Sequence, residues 1–368
     1  MTASRWFRPR IAAVVIPGAA LIGIVTAVLM AGGAPKDVTG RKSGRALGAG
    51  LSVLAQADDQ VRAPFPCAEL SAAGESGQKS GSGHVIGRKG DQTLTRTGHT
   101  VAITTADPDP EITLGIIADT RGASPRTLAQ LGEIRAAFAD AGVDLVIALG
   151  GIADSEDELY AVYAALAGQA RWPVLAIPGG RAPVLALRRT ISRINESNRG
   201  LIMDGSEIRV VRLGKVAIAT LPGVAERSQL VAGDNGCIHT SEDADAVAQL
   251  LDEEGAIKVW ASYAPPRQIG ATGSDVAAGG IHIGERILAG PVARSHAALV
   301  LSALVDEAAL ASGGGVAEAG APAFVAAGAA AALPVIGTSG ALRGSAVTVT
   351  ISGKRVRWHR IAIPLAPG

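Results

Sequence analysis

The chain has 368 residues, 48% of them hydrophobic and only 3% aromatic, with glycine at 47 positions. That length and composition fit a globular protein whose core is built from Ala, Val, Leu and Ile: one large α/β domain plus extras. A formal net charge of +1 supplies no global field for nucleic acid or acidic partners, and excludes neither a membrane nor a protein partner.

The first feature is the uncharged, apolar run from Ile11 to Met30. It is long enough to cross a bilayer as a helix. It exceeds the usual apolar core of a signal peptide, and Pro35 after Ala34 makes a poor cleavage site. The expectation is a retained single-pass anchor, with a cleaved signal as the alternative, over residues 1–34. Arg5, Arg8 and Arg10 precede the run, and Lys36, Arg41, Lys42 and Arg45 come after it, so charge bias leaves the orientation open. A signal-anchor of this kind exports the chain beyond it, which places the main domain in the periplasm or another extracytoplasmic space. Residues 35–110 read as a linker, with a short helix near 50–61 and a small β-containing segment. In that segment "HVIGRKGDQTLTRTGHTVAITT" alternates like one or two hairpins, with turn residues at Arg88–Asp91.

From residue 111 the texture changes to buried strands alternating with amphipathic helices. "ITLGIIAD", "VDLVIALGG" and "WPVLAIPGG" read as strands buried on both faces. Between them lies a helix capped by Ser124 and opened by Pro125, with Leu128, Leu131, Ile134 and Phe138 on one face. A second helix starts at "DSEDELY" with acidic residues suited to its N-terminus, and a third lies in "APVLALRRTISRINESN". The later chain reads as a hairpin around Leu213–Gly214, a helix in "DADAVAQLLDEEG", strands in "AIKVWASYAPP", "AALVLSAL" and "LPVIGTSG", and a closing hairpin turning at Ser352–Gly353.

Ligand sites in such folds gather past the carboxyl ends of the strands. Those ends read "ADTRG", "LGGIAD", "IPGGR", "SYAPP" and "SALVDE". Their order and spacing over residues 112–365 resemble the calcineurin-like metallophosphoesterases. That family's pattern is D-x-H, G-D-x-x-D, G-N-H-D/E, a lone His often followed by x-P-P, and G-H-x-H. Here Asp119 keeps the first Asp, while Arg121 replaces the His. Gly151 stands at the metal-bridging Asp, and Asp154 keeps the final Asp of that motif. Gly180 and Arg181 replace the Asn and His of the third motif. Tyr263 replaces the lone His before Pro265–Pro266, and Leu304 and Asp306 stand in the last motif. No dinucleotide, P-loop or nucleophile-elbow motif competes.

The resemblance implies an αββα sandwich with mixed sheets over residues 111–368, preceded by the transmembrane helix. It also implies two divalent metals, held about 3.5–4 Å apart in a working centre. Of that family's metal ligands Asp119 alone keeps its residue type, so the expected cofactor set is none. The function this implies is a membrane-anchored pseudoenzyme serving as a structural or binding subunit of an envelope complex. The alternatives are an active phosphoesterase with a rearranged site, for instance one rebuilt from His239, His282 or His296, and an anion sensor holding a phosphate-bearing ligand on Arg121 and Arg181. In the leading reading those two arginines neutralise Asp119, Asp154 and Asp306, at least one of them through a forked pair. Cys67 and Cys237 are the only cysteines; in an exported protein they pair, and in a reducing compartment they stay free thiols.

Overall fold

The structure is a computed structural model. It describes residues 65–67, 83–106, 111–197, 199–231, 235–255, 257–269, 273–277, 280–305, 314–318, 322–331, 335–337 and 340–364. All of these belong to one compact unit spanning residues 59–368. The expected membrane span at residues 11–30, the linker helix near 50–61 and Asp306 lie outside the described residues. Among the described residues no helix is long and apolar enough to cross a membrane.

The strands in chain order are β1 (Phe65–Pro66), β2 (His84–Lys89), β3 (Gln92–Thr97), β4 (Thr100–Thr105), β5 (Glu111–Ile117), β6 (Leu145–Leu149), β7 (Val174–Ile177), β8 (Ile202–Asp204), β9 (Val210–Leu213), β10 (Val216–Leu221) and β11 (Cys237–Ile238). They continue with β12 (Ile257–Ser262), β13 (Val276–Ala277), β14 (Ile281–His282), β15 (Leu299–Ser302), β16 (Gly314–Glu318), β17 (Ala323–Ala326), β18 (Val335–Gly337), β19 (Gly340–Ser352) and β20 (Arg355–Pro364). The helices are α1 (Pro125–Asp140), α2 (Glu156–Ala167), α3 (Val184–Glu196), α4 (Ser241–Asp252) and α5 (Arg286–Arg294).

Two sheets form the centre. One runs β16-β20-β19-β5-β6-β7-β8, with β18 added against β19; the other runs β17-β15-β12-β10-β9-β4-β3-β2. Each has a parallel heart, β5 to β8 in the first and β10-β12-β15-β17 in the second. Each also carries antiparallel strands, so both sheets are mixed.

Strand alternation explains the layers. Along β6, Leu145, Ile147 and Leu149 enter the core between the sheets, while Val146 and Ala148 enter the layer covered by α1 to α3. Along β10, Val216 and Ile218 face the other sheet, and Ala217, Ala219 and Leu221 face α4 and α5. With a side-chain period of two, strands apolar at every position can only be buried on both faces, which gives helix, sheet, sheet, helix.

Local signals account for the helix starts. Ser124 Oγ accepts from the Thr127 amide at 3.1 Å, and Ser155 caps α2 above three acidic residues, Glu156, Asp157 and Glu158. Leu131, Ile134 and Phe138 are buried, and Leu128 packs half-buried on the same layer. The Phe138 ring lies 2.9 Å from where a Cβ on Gly115 would stand, so β5 needs a glycine beneath it.

Ahead of residue 111, β4 pairs in parallel with β9 and brings β2 and β3 into the second sheet. The two hairpins are visible in the sequence as alternation, but their partner lies more than a hundred residues away. Helix α5 has no sequence signal of its own, since Gly290 and Pro291 read as breakers; burial of Leu288, Pro291 and Val292 outweighs the lost amide.

Candidate functional site

The loops after β5, β6, β7, β12 and β15 carry the sequence-predicted positions. The first two are tied together beyond the sheet. Asp119 N donates to Gly150 O at 3.0 Å, Arg121 N to Gly151 O at 3.1 Å and Gly122 N to Ile152 O at 2.8 Å. Thr120 Oγ1 adds a bond of 2.6 Å to Ile152 O. The backbone here is left-handed: φ is +48° at Asp119, +54° at Arg121, +75° at Gly150, +65° at Gly151 and +68° at Leu304. Three of these are not glycine, so conformational strain concentrates at these strand ends.

The space between the loops is filled by the protein. Tyr263, only 7% exposed, lays its ring against Gly150 and Gly179. A Cβ on Gly179 would meet the ring at 2.6 Å, and one on Gly150 would meet it at 2.7 Å. The Tyr263 hydroxyl donates to Asp119 Oδ1 at 3.5 Å, the long end of hydrogen bonding. At the position of the bridging carboxylate, a Cβ on Gly151 would stand 1.8 Å from Asp119 Oδ1. At the position of the Asn ligand, a Cβ on Gly180 would stand 2.3 Å from Gln229 O. Gly151 and Gly180 therefore do more than lack a ligand: the volume a ligand side chain needs belongs to other atoms.

The residues present do not fit two divalent cations. Such a centre needs a shared carboxylate and several His or Asp donors. Among the described residues no group of three His, Cys, Asp or Glu side chains is placed to hold a metal ion. The histidines considered for a rebuilt site lie in separate pairs. His239 Nε2 meets Glu285 at 2.7 Å, His282 Nδ1 meets Asp275 at 2.9 Å, and His296 Nδ1 meets Asp252 at 3.0 Å.

The predicted charge neutralisation divides by depth. Arg181 Nη1 reaches Asp154 Oδ2 at 2.6 Å, with side chains 30% and 53% exposed. The pair is a surface contact between one nitrogen and one oxygen, not the forked pair expected. Asp119 is buried and lies beside Tyr263, whereas Arg121 is exposed. Asp119 and Asp154 thus sit in different environments, one buried and one exposed.

Around this site stand residues that the sequence did not single out. Glu285 is buried at the start of α5; its Oε1 accepts from Ala225 N at 2.6 Å and its Oε2 takes His239. His239 Nδ1 lies 2.9 Å from Pro222 O. The network fastens the loop after β10, which reaches the third site loop through Gly223 N to Pro178 O at 2.8 Å. Asp204, at the end of β8, has its carboxyl pushed above the ordinary range by burial, against the pull of Ser206 and Arg188. Only the buried positions of Glu285 and Asp204 give these groups weight, and burial of a lone Glu or Asp has no signature in a single sequence.

Cys67 and Cys237 are joined in a disulfide, with Cα atoms 5.4 Å apart across a separation of 170 residues.

No protein-family model matches the chain, and no curated protein sequence matches it. Solved structures do. The chain is similar to TT1561 of Thermus thermophilus, at 16% identity and a TM-score of 0.45, over 60% of this chain and 90% of that one. It is similar to a dimetal phosphatase from Danio rerio, at 14% identity and a TM-score of 0.43, over 70% of this chain and 100% of that one. It is also similar to purple acid phosphatase PPD1 from yellow lupin, at 10% identity and a TM-score of 0.44, over 74% of this chain and 59% of that one. Function is argued from the site and not from these likenesses. In its own topology the chain is an α/β sandwich, two mixed sheets packed between helical layers.

Proposed function

We propose that this protein is a pseudoenzyme: a structural or binding subunit that keeps a metallophosphoesterase-like fold and has no metal chemistry. The observation that carries the reading is the packing at the former centre. The Tyr263 ring against Gly150 and Gly179, and the contact distance between Gly151 and Asp119, leave no room for a bridging carboxylate. Loss of one ligand is reversible by a neighbour; loss of the volume is not. With Ile11 to Met30 as a single-pass anchor, the domain works outside the cytoplasm. The disulfide supports that placement, because such bonds persist in oxidising compartments. Its partners are then proteins of an envelope complex, with no role for nucleic acid. An anion sensor on Arg121 and Arg181 has less support, since Arg181 already holds Asp154.

A pull-down of the full chain with its anchor intact tests the reading. Stoichiometric co-purification of envelope proteins is the expected outcome, together with no hydrolysis of activated phosphodiesters in the presence of manganese, iron or zinc. Turnover that disappears in Asp119→Ala contradicts it.

A further inference from the structure

The segment Phe65–Cys67 is held against the domain by three ties. Two residues of β1 pair in parallel with β11, Phe65 with Cys237 and Pro66 with Ile238. The Cys67 side chain is bonded to Cys237. The Cys67 carbonyl accepts from Arg209 Nη2. A two-residue ladder is far too short to hold a strand by itself, so the covalent bond and the arginine carry the attachment.

Arg209 is an unusual holder. It is 3% exposed. Its Nη atoms donate to the carbonyls of Gly205, Ser206, Ile208 and Cys67, and its Nε is buried with no hydrogen-bond partner among the described residues. Burial lowers its pKa to about 10, against the opposing pull of Asp204, Asp243 and Glu207. A guanidinium satisfied by carbonyls is costly to desolvate. One of its acceptors belongs to the segment itself, so lifting Phe65–Cys67 removes that bond.

The attachment also stacks on the candidate site. Cys237 O accepts from Val224 N at 3.1 Å, and Gly223 N donates to Pro178 O at 2.8 Å. Val224 Cγ1 stands 3.4 Å from where a Cβ on Gly180 would be. The order is therefore Phe65–Cys67, then Cys237–His239, then Pro222–Ala225, then Pro178–Arg181.

We propose that Cys67–Cys237 is a one-way clasp: its oxidation seats Phe65–Cys67 over Arg209 and fixes the loop layer on the former metal site, and before oxidation the segment is lifted and Arg209 is exposed. In the closing step a thiolate of one cysteine attacks the disulfide of an oxidant of the thiol–disulfide exchange class. The second cysteine then displaces the oxidant as a dithiol. One Sγ–Sγ bond forms, both cysteine protons are lost, and the oxidant takes up the two electrons. The closed bond lies between cysteines 2% and 0% exposed, so a small thiol in solution has no access to it in the native state, and the clasp does not reopen. This goes beyond the subunit reading and does not depend on it, since it concerns how the domain is completed.

The test uses the full chain purified from an oxidising compartment, beside Cys67→Ala and Cys237→Ala. A maleimide reports the thiol of Cys237 in Cys67→Ala, an arginine-directed dicarbonyl reports Arg209, and hydrogen exchange reports the backbone. Expected in Cys67→Ala are rapid labelling of Cys237, modification of Arg209, and exchange faster by about tenfold or more over residues 222–225 and 237–239, with β6 unchanged. Cys237→Ala shows the same exchange pattern and the same Arg209 modification. The wild type shows none of these, and keeps its disulfide under millimolar glutathione without denaturant. Protection of Arg209 and Cys237 in the variants overturns the proposal, because the segment then docks without the bond. Loss of protection throughout β6 overturns it as well, because the bond then holds the whole fold; reduction of the native wild type by glutathione overturns the one-way character.

Discussion

Restoring the missing carboxylate should break the protein before it rebuilds a metal centre. Consider Gly151→Asp. The residue has φ of +65°, and a non-glycine residue there costs about 1–2 kcal/mol. The new Cβ would stand 1.8 Å from Asp119 Oδ1 and 2.9 Å from Asp119 Cα, and overpacking of this kind adds about 1–3 kcal/mol. The second carboxylate lies beside a buried one, so one of the two must take up a proton or be repelled, for roughly another 1–3 kcal/mol. Together these give about 3–8 kcal/mol, against a total stability of about 5–15 kcal/mol for a folded domain. Urea denaturation followed by circular dichroism measures the difference. Gly132→Ala is the control for glycine removal as such: it lies in α1 with nothing within 4 Å of the new Cβ, and should stabilise by about 0.5–1 kcal/mol. A Gly151→Asp protein within about 1 kcal/mol of wild type would refute the reasoning, because the space would then be open.

Tyr263→Ala should cost about 3–5 kcal/mol, as for other buried rings, whereas Tyr263→Phe, which keeps the ring and removes the hydroxyl that reaches Asp119, should cost about 1 kcal/mol; denaturation midpoints separate the two. Arg181→Ala should change stability by less than about 1 kcal/mol, because its pair with Asp154 is exposed to solvent; a larger loss would mean the pair is buried. Glu285→Ala should destabilise by about 1–3 kcal/mol, since it leaves the buried His239 ring and the Ala225 amide without their acceptor. Asp204 has a raised folded-state pKa, so its native state binds the proton more tightly than the unfolded state does. The stability this group contributes is present below the ordinary Asp range and is lost as pH rises through the raised value. Asp204→Asn should therefore gain stability relative to wild type as pH rises above the ordinary Asp range; a difference that is constant with pH would exclude the linkage.

The strands and helices of the sandwich were legible because their signals are local. A buried parallel strand is an apolar run, and Ser124–Pro125 and Ser155 mark helix starts without reference to anything distant. Elements whose evidence is non-local were harder. β17 hides in an Ala-rich run, where its edge position beside β15 decides it, and α5 exists because Leu288 and Val292 have a core to enter. The site divides in the same way. That Gly151 and Gly180 bring no side chain to those two positions was readable from the motif. That Tyr263 lies on Gly150 and Gly179, and that Gln229 O fills the place of a side chain at 180, depends on contacts across the fold. Arg209 drew no notice because an arginine in "GSEIRVV" looks like any strand-edge cation until its burial is known.

Metal titration of the purified full chain tests the central claim most directly. Manganese, iron and zinc are each titrated calorimetrically, with the ion content of the dialysed protein measured afterwards. The account predicts less than one ion retained per chain and the same weak heats in wild type and Asp119→Ala. Two ions retained per chain, lost together in Asp119→Ala, would contradict it, because Tyr263 would then have to leave the space it fills.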